Sequence, residues 1–280
     1  MPPDRVVIAT MHGKEAVIAP LLQRALGLQP LLPAGFDTDR FGTFSRDIPR
    51  LDSPHATARA KIAAALECVP EAHAGVASEG SFGPHPQIPF VPIDSELVML
   101  VDRRDGVEIV GTHVTPRTNY AQRVVEDARL AVAFAEGIGF PRHGVIVTAA
   151  VDGKSHPALL LRKDNLSRAQ LLANVADAIA ISGAACVETD MRACSNPTRM
   201  RAIKRATIDL VRRYRSCCPQ CGRRGFVPTE RIAGLPCGAC HAPTDMIRGV
   251  VAICAGCGHR REQSFEAAWA DPGRCDFCNP

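Results

Sequence analysis

The motif CPQC at residues 218–221 is the first of four Cys-x-x-Cys pairs that decide the fold of the last quarter of the chain. The others are CGAC at 237–240, CAGC at 254–257 and CDFC at 275–278. Two thiolates separated by two residues on a tight turn point at one metal ion, and two such turns complete a tetrahedral site. We therefore predict two structural zinc ions, held by Cys218, Cys221, Cys237, Cys240, Cys254, Cys257, Cys275 and Cys278.

The four pairs can combine in sequence order or in an interleaved order. The gaps are 15 residues between Cys221 and Cys237 and 17 residues between Cys257 and Cys275. Each gap is long enough for the short hairpin of a zinc ribbon, so we favour pairing in sequence order over the interleaved order. A disulfide set or a redox pair is the other interpretation of these cysteines.

The zinc sites also divide the chain into domains. A segment of about 65 residues with few large apolar side chains is too small to be stable alone, and metal binding supplies the missing folding energy. We predict a double zinc-ribbon domain at residues 215–280 and a separate domain at 1–214. Protein ligands fill both zinc sites, so any catalysis belongs to the first domain. Cys68, Cys186 and Cys194 have no partner spacing, and we expect them to be small buried residues.

Composition and charge exclude some classes of protein and favour others. With 46% hydrophobic and 22% charged residues, the chain has the composition of an ordinary globular protein. No apolar run approaches the length of about 18 residues that a membrane span needs, and no signal peptide is recognisable, so we expect a cytoplasmic protein without a membrane partner. Residues 199–280 carry 14 basic and 7 acidic side chains, which predicts nucleic acid as a partner. The general preference for arginine, 28 residues against 5 lysines, is the alternative explanation.

Strand and helix patterns alternate along residues 1–214, which predicts an α/β domain with a mixed sheet. The apolar run at 5–10 is followed by an amphipathic helix that stops at Gly27, and 96–102 with 107–115 form a hairpin pattern. We predict further helices at 54–69, 122–136, 167–181 and 196–214, and further strands at 75–78, 144–149, 158–161 and 185–187.

Three short stretches resemble the inosine/xanthosine triphosphate pyrophosphatase superfamily. Ile8-Ala9-Thr10-Met11-His12-Gly13-Lys14 is similar to its strand–loop–helix opening, where an Ala-Thr-x-Asn-x-x-Lys motif cradles triphosphate. The segments 58–61, 70–72 and 76–80 resemble, without a gap, the helix-to-strand stretch of the bacterial branch. Arg199-Met200-Arg201-Ala202-Ile203 resembles the terminal helix start that contacts the nucleotide. The resemblance implies a mixed-sheet inosine triphosphatase-like domain.

The whole chain also resembles an uncharacterised bacterial family, a domain of unknown function. Its members join such an N-terminal region to paired cysteine knuckles. The resemblance is carried by the stretches 37–43 (DTDRFGT), 78–86 (SEGSFGPHP) and 189–193 (TDMRA).

Several polar residues are candidates for a phosphate site. Lys14 begins a helix after a strand, where an ammonium group would lie beside phosphates that the helix N-terminus already attracts. Thr10 and His12 share its loop, and Arg59 and Lys61 could reach phosphate from a helix face. The pyrophosphatase resemblance implies that Glu79, at the end of a strand, is a metal-binding carboxylate.

A second charged segment follows a strand at 185–187. In α/β sheets such positions carry functional sites, so Asp190 is a candidate second metal ligand or general base. Arg192 and Arg199 are candidates for clamping phosphate. We expect Glu79 to lie on the order of 4–8 Å from Lys14 or Asp190, with magnesium between the carboxylates.

Two functions remain open at this point. The first is a divalent-metal-dependent hydrolase of a nucleotide or related phosphorylated small molecule, possessing a catalytic Mg²⁺ and a structural zinc module. The second is a non-catalytic zinc-bearing protein that binds nucleic acid or protein and keeps a vestigial nucleotide cleft. The second is favoured by departures from the superfamily pattern: its metal-binding helix Glu falls near Ala56, and Thr198 replaces its terminal His. Asp52 or Asp47 could replace the missing helix Glu.

Overall fold

A computed structural model describes residues 4–42, 52–165, 167–266 and 269–280. The chain divides into two units, Met1–Val211 and Arg212–Pro280. Asp47, one of the two proposed substitutes for the helix Glu, lies outside the described residues, and Asp52 is exposed.

The first sheet of the first unit has five strands in the order β2-β1-β3-β4-β5. Their bounds are Arg5–Ala9 (β1), Gln29–Leu31 (β2), Ala74–Pro84 (β3), Pro92–Asp102 (β4) and Val107–Thr115 (β5). Strand β1 is parallel to β2 and β3, whereas β3, β4 and β5 pair antiparallel. The predicted α/β class with a mixed sheet is therefore confirmed.

Two helices follow the local sequence rules. Helix α1 (Glu15–Leu26) ends at Gly27, whose left-handed backbone (φ 68°) lets its N–H reach the carbonyls of Gln23 and Leu22. Helix α2 (Pro54–Cys68) begins after Ser53, whose hydroxyl accepts the N–H of Ala56. Such local signals explain why these helices can be located from the sequence.

Helix α2 packs tightly on one face of the first sheet. A Cβ on Gly75 would lie 2.6 Å from Cγ2 of Ile62, so only glycine permits this approach. The odd-numbered residues of β3 therefore face α2. A short 3₁₀ helix at Asp39–Phe41 also belongs to this unit.

The second sheet of the first unit has four antiparallel strands in the order β6-β9-β7-β8. The bounds of its strands are Gln122–Val125 (β6), Val145–Val151 (β7), Lys154–Asn165 (β8) and Ala185–Thr189 (β9). The other helices are Ala128–Gly137 (α3), Arg168–Ser182 (α4) and Pro197–Arg215 (α5). Buried valines and alanines of the sheet and of α3 and α4 form one hydrophobic core.

The helix predicted over 122–136 is wrong in its first part. Residues Gln122–Val125 form strand β6 and pair with β9, and α3 begins only after Asp127, whose carboxylate accepts the N–H of Arg129. The β-branched pair Val124 and Val125 suits a strand, and pairing with β9 satisfies backbone groups that a longer helix would have bonded internally.

Helix α5 covers the other face of the first sheet. A Cβ on Gly111 of β5 would overlap backbone atoms of Ala206 and Leu210, and the carboxylate of Asp209 accepts the N–H of Thr112 at 3.0 Å. This close packing holds the middle of α5 against the first sheet, and the contact of Arg199 with Glu96 of β4 holds its start there.

The second unit contains three antiparallel strands in the order β10-β11-β12. Their bounds are Pro228–Ala233 (β10), Ile247–Ile253 (β11) and Arg260–Ser264 (β12). Its small core contains Phe226, Ala252, Cys218 and Cys254. None of the helices in the described parts of either unit is long and apolar enough to span a membrane.

Candidate metal centres and a buried charge cluster

The eight cysteines of the Cys-x-x-Cys pairs form two groups of four. In each group all sulfur atoms lie within 4.8 Å of one another. The sulfur of Cys218 lies 3.7 Å from that of Cys257, and Cys240 lies 3.6 Å from Cys275. Zinc–sulfur bonds of about 2.3 Å in a tetrahedron place sulfurs about 3.8 Å apart. The two groups are therefore compatible with two structural zinc ions.

The sequence-order pairing of these motifs is wrong. Cys218 and Cys221 group with Cys254 and Cys257, and Cys237 and Cys240 group with Cys275 and Cys278, so the arrangement is interleaved.

Strand directions explain the interleaved pairing. Pro228, at the start of β10, pairs with Ala252 near the end of β11, so the turns before β10 and after β11 meet at one end of the sheet. Ala233, at the end of β10, pairs with Ile247, and Ser264, at the end of β12, pairs with Gly249. The turns that follow β10 and β12 therefore meet at the opposite end.

Backbone amides prepare the cysteines to bind metal. The N–H of Gly258 donates to the carbonyl of Cys254 at 2.9 Å, and the left-handed φ of 73° at Gly258 closes this turn. Backbone hydrogen bonds from Cys257 and Gly256 lower the pKa of Cys254 to about 6. This favours the thiolate, which is the form that binds zinc.

A cluster of six charged side chains lies buried in the first unit. Each of these side chains belongs to a residue that is at most 8% exposed, and the members are Lys14, Lys61, Glu79, Asp94, Glu96 and Arg199. Lys61 Nζ lies 2.5 Å from Glu79 Oε1, and Arg199 Nε lies 2.6 Å from Glu96 Oε1. We call this set the buried charge cluster.

The pairing of β3 with β4 places the carboxylates. Gly80 lies opposite Glu96, and Phe82 lies opposite Asp94. Directly opposed residues share a face, so Asp94 and Glu96 lie on the α5 side. A Cβ on Gly80 would lie 2.6 Å from Glu96 Oε1, so this glycine leaves room for the ion pair between Glu96 and Arg199.

Lys14 keeps its place at the start of α1 although burial opposes its charge. Its Nζ donates to the carbonyl of Ser78 at 3.2 Å. Burial and the nearby Arg199 lower the pKa of Lys14 to about 8, while the charges of Glu79 and Glu96 counteract this change. With a pKa of about 8, the buried side chain of Lys14 is still mostly protonated at neutral pH.

Asp94 has the opposite perturbation. Burial, followed by repulsion from Glu96, raises the pKa of Asp94 to about 7, and the charge of Arg199 partly compensates. Asp94 and Glu96 were not among the sequence-predicted site residues. The sequence pattern that could have identified them is the alternation of Asp94 and Glu96 with Ser95 directly before the apolar run of β4. This pattern places Asp94 and Glu96 on one face of the strand.

The structure brings several of the predicted site residues together. Lys14, Lys61, Glu79 and Arg199 belong to the buried charge cluster, although they lie as far apart as positions 14 and 199 in the sequence. Thr10 lies in the loop before Lys14, and its hydroxyl is buried. The roles assigned to these residues stay predictions.

Other predicted residues lie elsewhere. Arg59 is exposed and forms a bidentate ion pair with Glu108, with distances of 2.6 and 2.8 Å. Both carboxylate oxygens of Asp190 accept from Arg192, which also contacts Asp164 at 2.6 Å. The partner of Asp190 is therefore Arg192, a residue of the same loop.

The parts of the chain that the structure describes contain no carboxylate-rich group of three or more metal ligands beside the two cysteine groups. Only the two cysteine groups there place three or more His, Cys, Asp or Glu ligand atoms within 4.8 Å of one another. The magnesium site expected from Glu79 and Asp190 is not supported, because Lys61 binds Glu79 and Arg192 binds Asp190.

A cleft of 690 Å³ lies beside the β1–α1 loop. Its lining residues are His12, Gly13, Arg142, Ala193, Cys194, Pro197, Met200 and Arg201. Cys194 was expected to be buried, but it is exposed, with its sulfur 4.0 Å from Nδ1 of His12. The contact with His12 is the main reason why the pKa of the Cys194 thiol is lowered. Two arginines and a histidine make this cleft suitable for an anion.

The fold and the cysteine groups define a class of protein, in which an α/β unit precedes a small unit with two interleaved four-cysteine centres. Within this class, residues 62–280 match the family described as "Domain of unknown function (DUF6671)". The chain belongs to this family, as its resemblance to an uncharacterised family with cysteine knuckles predicted. The likeness to the pyrophosphatase superfamily is not confirmed by this match. No curated protein shows a significant match to the chain.

Proposed function

We propose that the first unit binds a phosphorylated small molecule, such as a nucleotide, and hydrolyses a phosphate bond with the help of Mg²⁺. The observation that carries the proposal is Lys14, a buried ammonium group at the junction of β1 and α1. Burial disfavours the charge of such a group. Charged groups that are perturbed in this way cluster at functional sites.

The surroundings of Lys14 favour an anionic ligand. Within the described residues no side-chain hydrogen bond caps the N-terminus of α1, and the helix dipole favours an anion there. The cleft that includes His12 and Gly13 of the same loop also carries Arg142 and Arg201. Phosphate is the biological anion that such a combination of lysine, arginine and helix N-terminus binds best.

The chemistry proposed for the cluster is electrostatic. Lys14 and Arg199 would offset the negative charge that develops on phosphoryl oxygens during hydrolysis. Lys61 and Glu79 form an ion pair at 2.5 Å and would fix the middle of β3, where Ser78 accepts from Lys14. Mg²⁺, when bound with the substrate, would polarise a phosphoryl oxygen. The inosine triphosphatase-like fold is part of this proposal.

A second candidate is a non-catalytic binding protein. It is favoured by the second unit, where arginines and large aromatic side chains such as Trp269 and Phe277 are exposed. Aromatic and arginine side chains stack on the bases of single-stranded nucleic acid. The basic end of the sequence suits the same partner.

The test is a panel of nucleoside triphosphates, nucleoside diphosphates and sugar phosphates, incubated with the full-length protein and Mg²⁺. Phosphate and pyrophosphate release are measured separately, and binding is measured by calorimetry. Lys14→Met should weaken binding about tenfold to a hundredfold, because a hydrogen bond to a charged group contributes about 1.5–3 kcal/mol. Lys204→Met, at an exposed position of α5, is the matched control.

Each outcome of this panel separates the candidates. Lys14-dependent turnover supports the hydrolase. Lys14-dependent binding without turnover supports a vestigial cleft. Absence of both binding and turnover for every compound contradicts the proposal and leaves the nucleic-acid-binding protein.

A further inference from the structure

Four buried oxygen atoms on β3 and β4 lack a hydrogen-bond partner within the described residues. They are Ser78 Oγ, both carboxylate oxygens of Asp94, and Glu96 Oε2. In native proteins such buried polar atoms are rare, and each one calls for a partner. Burying a carboxylate without any partner is especially unfavourable. The hydroxyl oxygen of Thr10, one loop away, is in the same condition.

The four oxygens belong to one face of the sheet. Ser78 lies opposite Val98, which in turn lies opposite Gly111, the residue that contacts α5. Asp94 and Glu96 occupy alternate positions of the same strand as Val98 and therefore share its face. Asp94 and Glu96 are two positions apart on β4, where Arg199 of α5 contacts Glu96, so their oxygens can meet. Ser78 lies four positions along β3 from Phe82, the partner of Asp94, so about 13 Å of strand separates it from Asp94.

The chemistry of these atoms indicates their missing partner. Three of them are carboxylate oxygens of Asp94 and Glu96, so the partner of these three must be a donor or a cation. Glu96 Oε1 already accepts from Arg199 at 2.6 Å, which leaves Oε2 directed to something else. Hard divalent cations bind oxygen, and Mg²⁺ often uses one or two carboxylates and completes its shell with water or substrate phosphates.

We propose that Asp94 and Glu96 form a binding site for a hard divalent cation such as Mg²⁺ or Mn²⁺, with water or substrate phosphate completing its shell. The site differs from the pair Glu79 and Asp190 that the sequence suggested. It also differs from the cysteine groups, whose soft sulfur ligands select zinc.

The charges of the cluster add a second feature to the site. The three cations Lys14, Lys61 and Arg199 balance the three carboxylates Glu79, Asp94 and Glu96 when all six are ionised. A divalent cation would leave a charge of about +2 in a buried site, which weakens its binding until an anion offsets the charge. A phosphate should therefore tighten the binding of the cation, a step that rests on the proposed function.

The first experiment uses Mn²⁺ alone with the full-length, zinc-loaded protein in a buffer free of phosphate. Electron paramagnetic resonance should detect one bound Mn²⁺ per chain. Asp94→Asn should weaken this binding more than about tenfold, since ligand removal exceeds the effect of losing an outer-shell contact. Asp102→Asn is the matched control, because Asp102 lies on the same strand but is bound to Arg104 at 2.7 Å.

A wild-type protein that binds no Mn²⁺, or an Asp94→Asn variant that binds it unchanged, overturns the proposal. Protonated carboxyl groups or trapped water would then be the partners of these oxygens. If Asp94→Asn does not fold, as judged by circular dichroism, Glu96→Gln provides the same comparison, because the amide oxygen can still accept from Arg199 while the charged ligand is lost.

The second experiment adds inorganic phosphate to the same titration. Phosphate should tighten Mn²⁺ binding, Lys14→Met should abolish this enhancement, and the exposed control Lys204→Met should retain it. Binding of Mn²⁺ without an effect of phosphate would contradict the proposed function but leave the cation site standing. An enhancement that persists in Lys14→Met would contradict the assigned role of Lys14.

Discussion

Replacing Lys14 by methionine should remove a pH dependence from the stability of the first unit. The pKa of Lys14 falls from its ordinary value of 10.5 to about 8, mainly because of burial and secondly because of repulsion by Arg199. Glu79 and Glu96 oppose this drop, and Lys61 adds to it. One pKa unit corresponds to about 1.4 kcal/mol, so the ammonium group costs the folded state about 3 kcal/mol.

The direction of the effect follows from the two pKa values. Below about pH 8, Lys14 is protonated in both the folded and the unfolded chain, and the full cost is present. Between about pH 8 and 10.5 the unfolded chain holds the proton and the folded chain does not, so stability rises with pH. The free energy of unfolding of the wild type, relative to that of Lys14→Met, should increase by about 3 kcal/mol across this range.

Urea unfolding followed by far-ultraviolet circular dichroism measures this difference. The α-helices of the described residues all lie between Glu15 and Arg215, so their signal reports almost entirely on the first unit. Lys204→Met, at an exposed position, should give a curve parallel to that of the wild type. Parallel pH profiles for the wild type and Lys14→Met would refute the burial of a charged Lys14.

Two further predictions concern packing and the cysteine centres. Gly111→Ala should destabilise the first unit by about 1–3 kcal/mol or more, because its Cβ would overlap the backbone of α5. Thermal unfolding checks this against Gly83→Ala, where no atom lies within 4 Å of the added Cβ. Elemental analysis should find about two zinc ions per chain. In Cys254→Ser one zinc should remain, and alkylation followed by mass spectrometry should find Cys218 reactive and Cys237 protected.

The sequence predicts those ends of helices well that are determined by residues close by in the chain. The end of α1 at Gly27 and the start of α2 at Ser53 follow from glycine and capping chemistry that involve only nearby residues. The strand at Gln122–Val125 depends on its partner β9, 60 or more residues away, which no local pattern contains. The pairing of the cysteine motifs fails for the same reason, because strand directions in the second unit decide it.

The candidate site shows a similar division. The sequence identifies Lys14 and Arg199 because each lies at the start of a helix, and Glu79 because it follows the predicted strand 75–78, although β3 continues past it to Pro84. It misses Asp94 and Glu96, since acidic residues at the beginning of a strand are commonly exposed. Their burial depends on α5, which begins about 100 positions later and brings Arg199 to Glu96. The sequence analysis also predicts that Arg59 contacts phosphate, but Arg59 binds Glu108 at the surface.

The interleaved cysteine groups change what a break in the chain would do to the second unit. A single proteolytic cut between Cys240 and Cys254 would separate the first four zinc ligands from the last four, yet both metal centres would bridge the two fragments. A cut between Cys221 and Cys237, or between Cys257 and Cys275, would leave one centre as a bridge. With metal bound, nicked protein should stay associated, and a chelator should release the fragments.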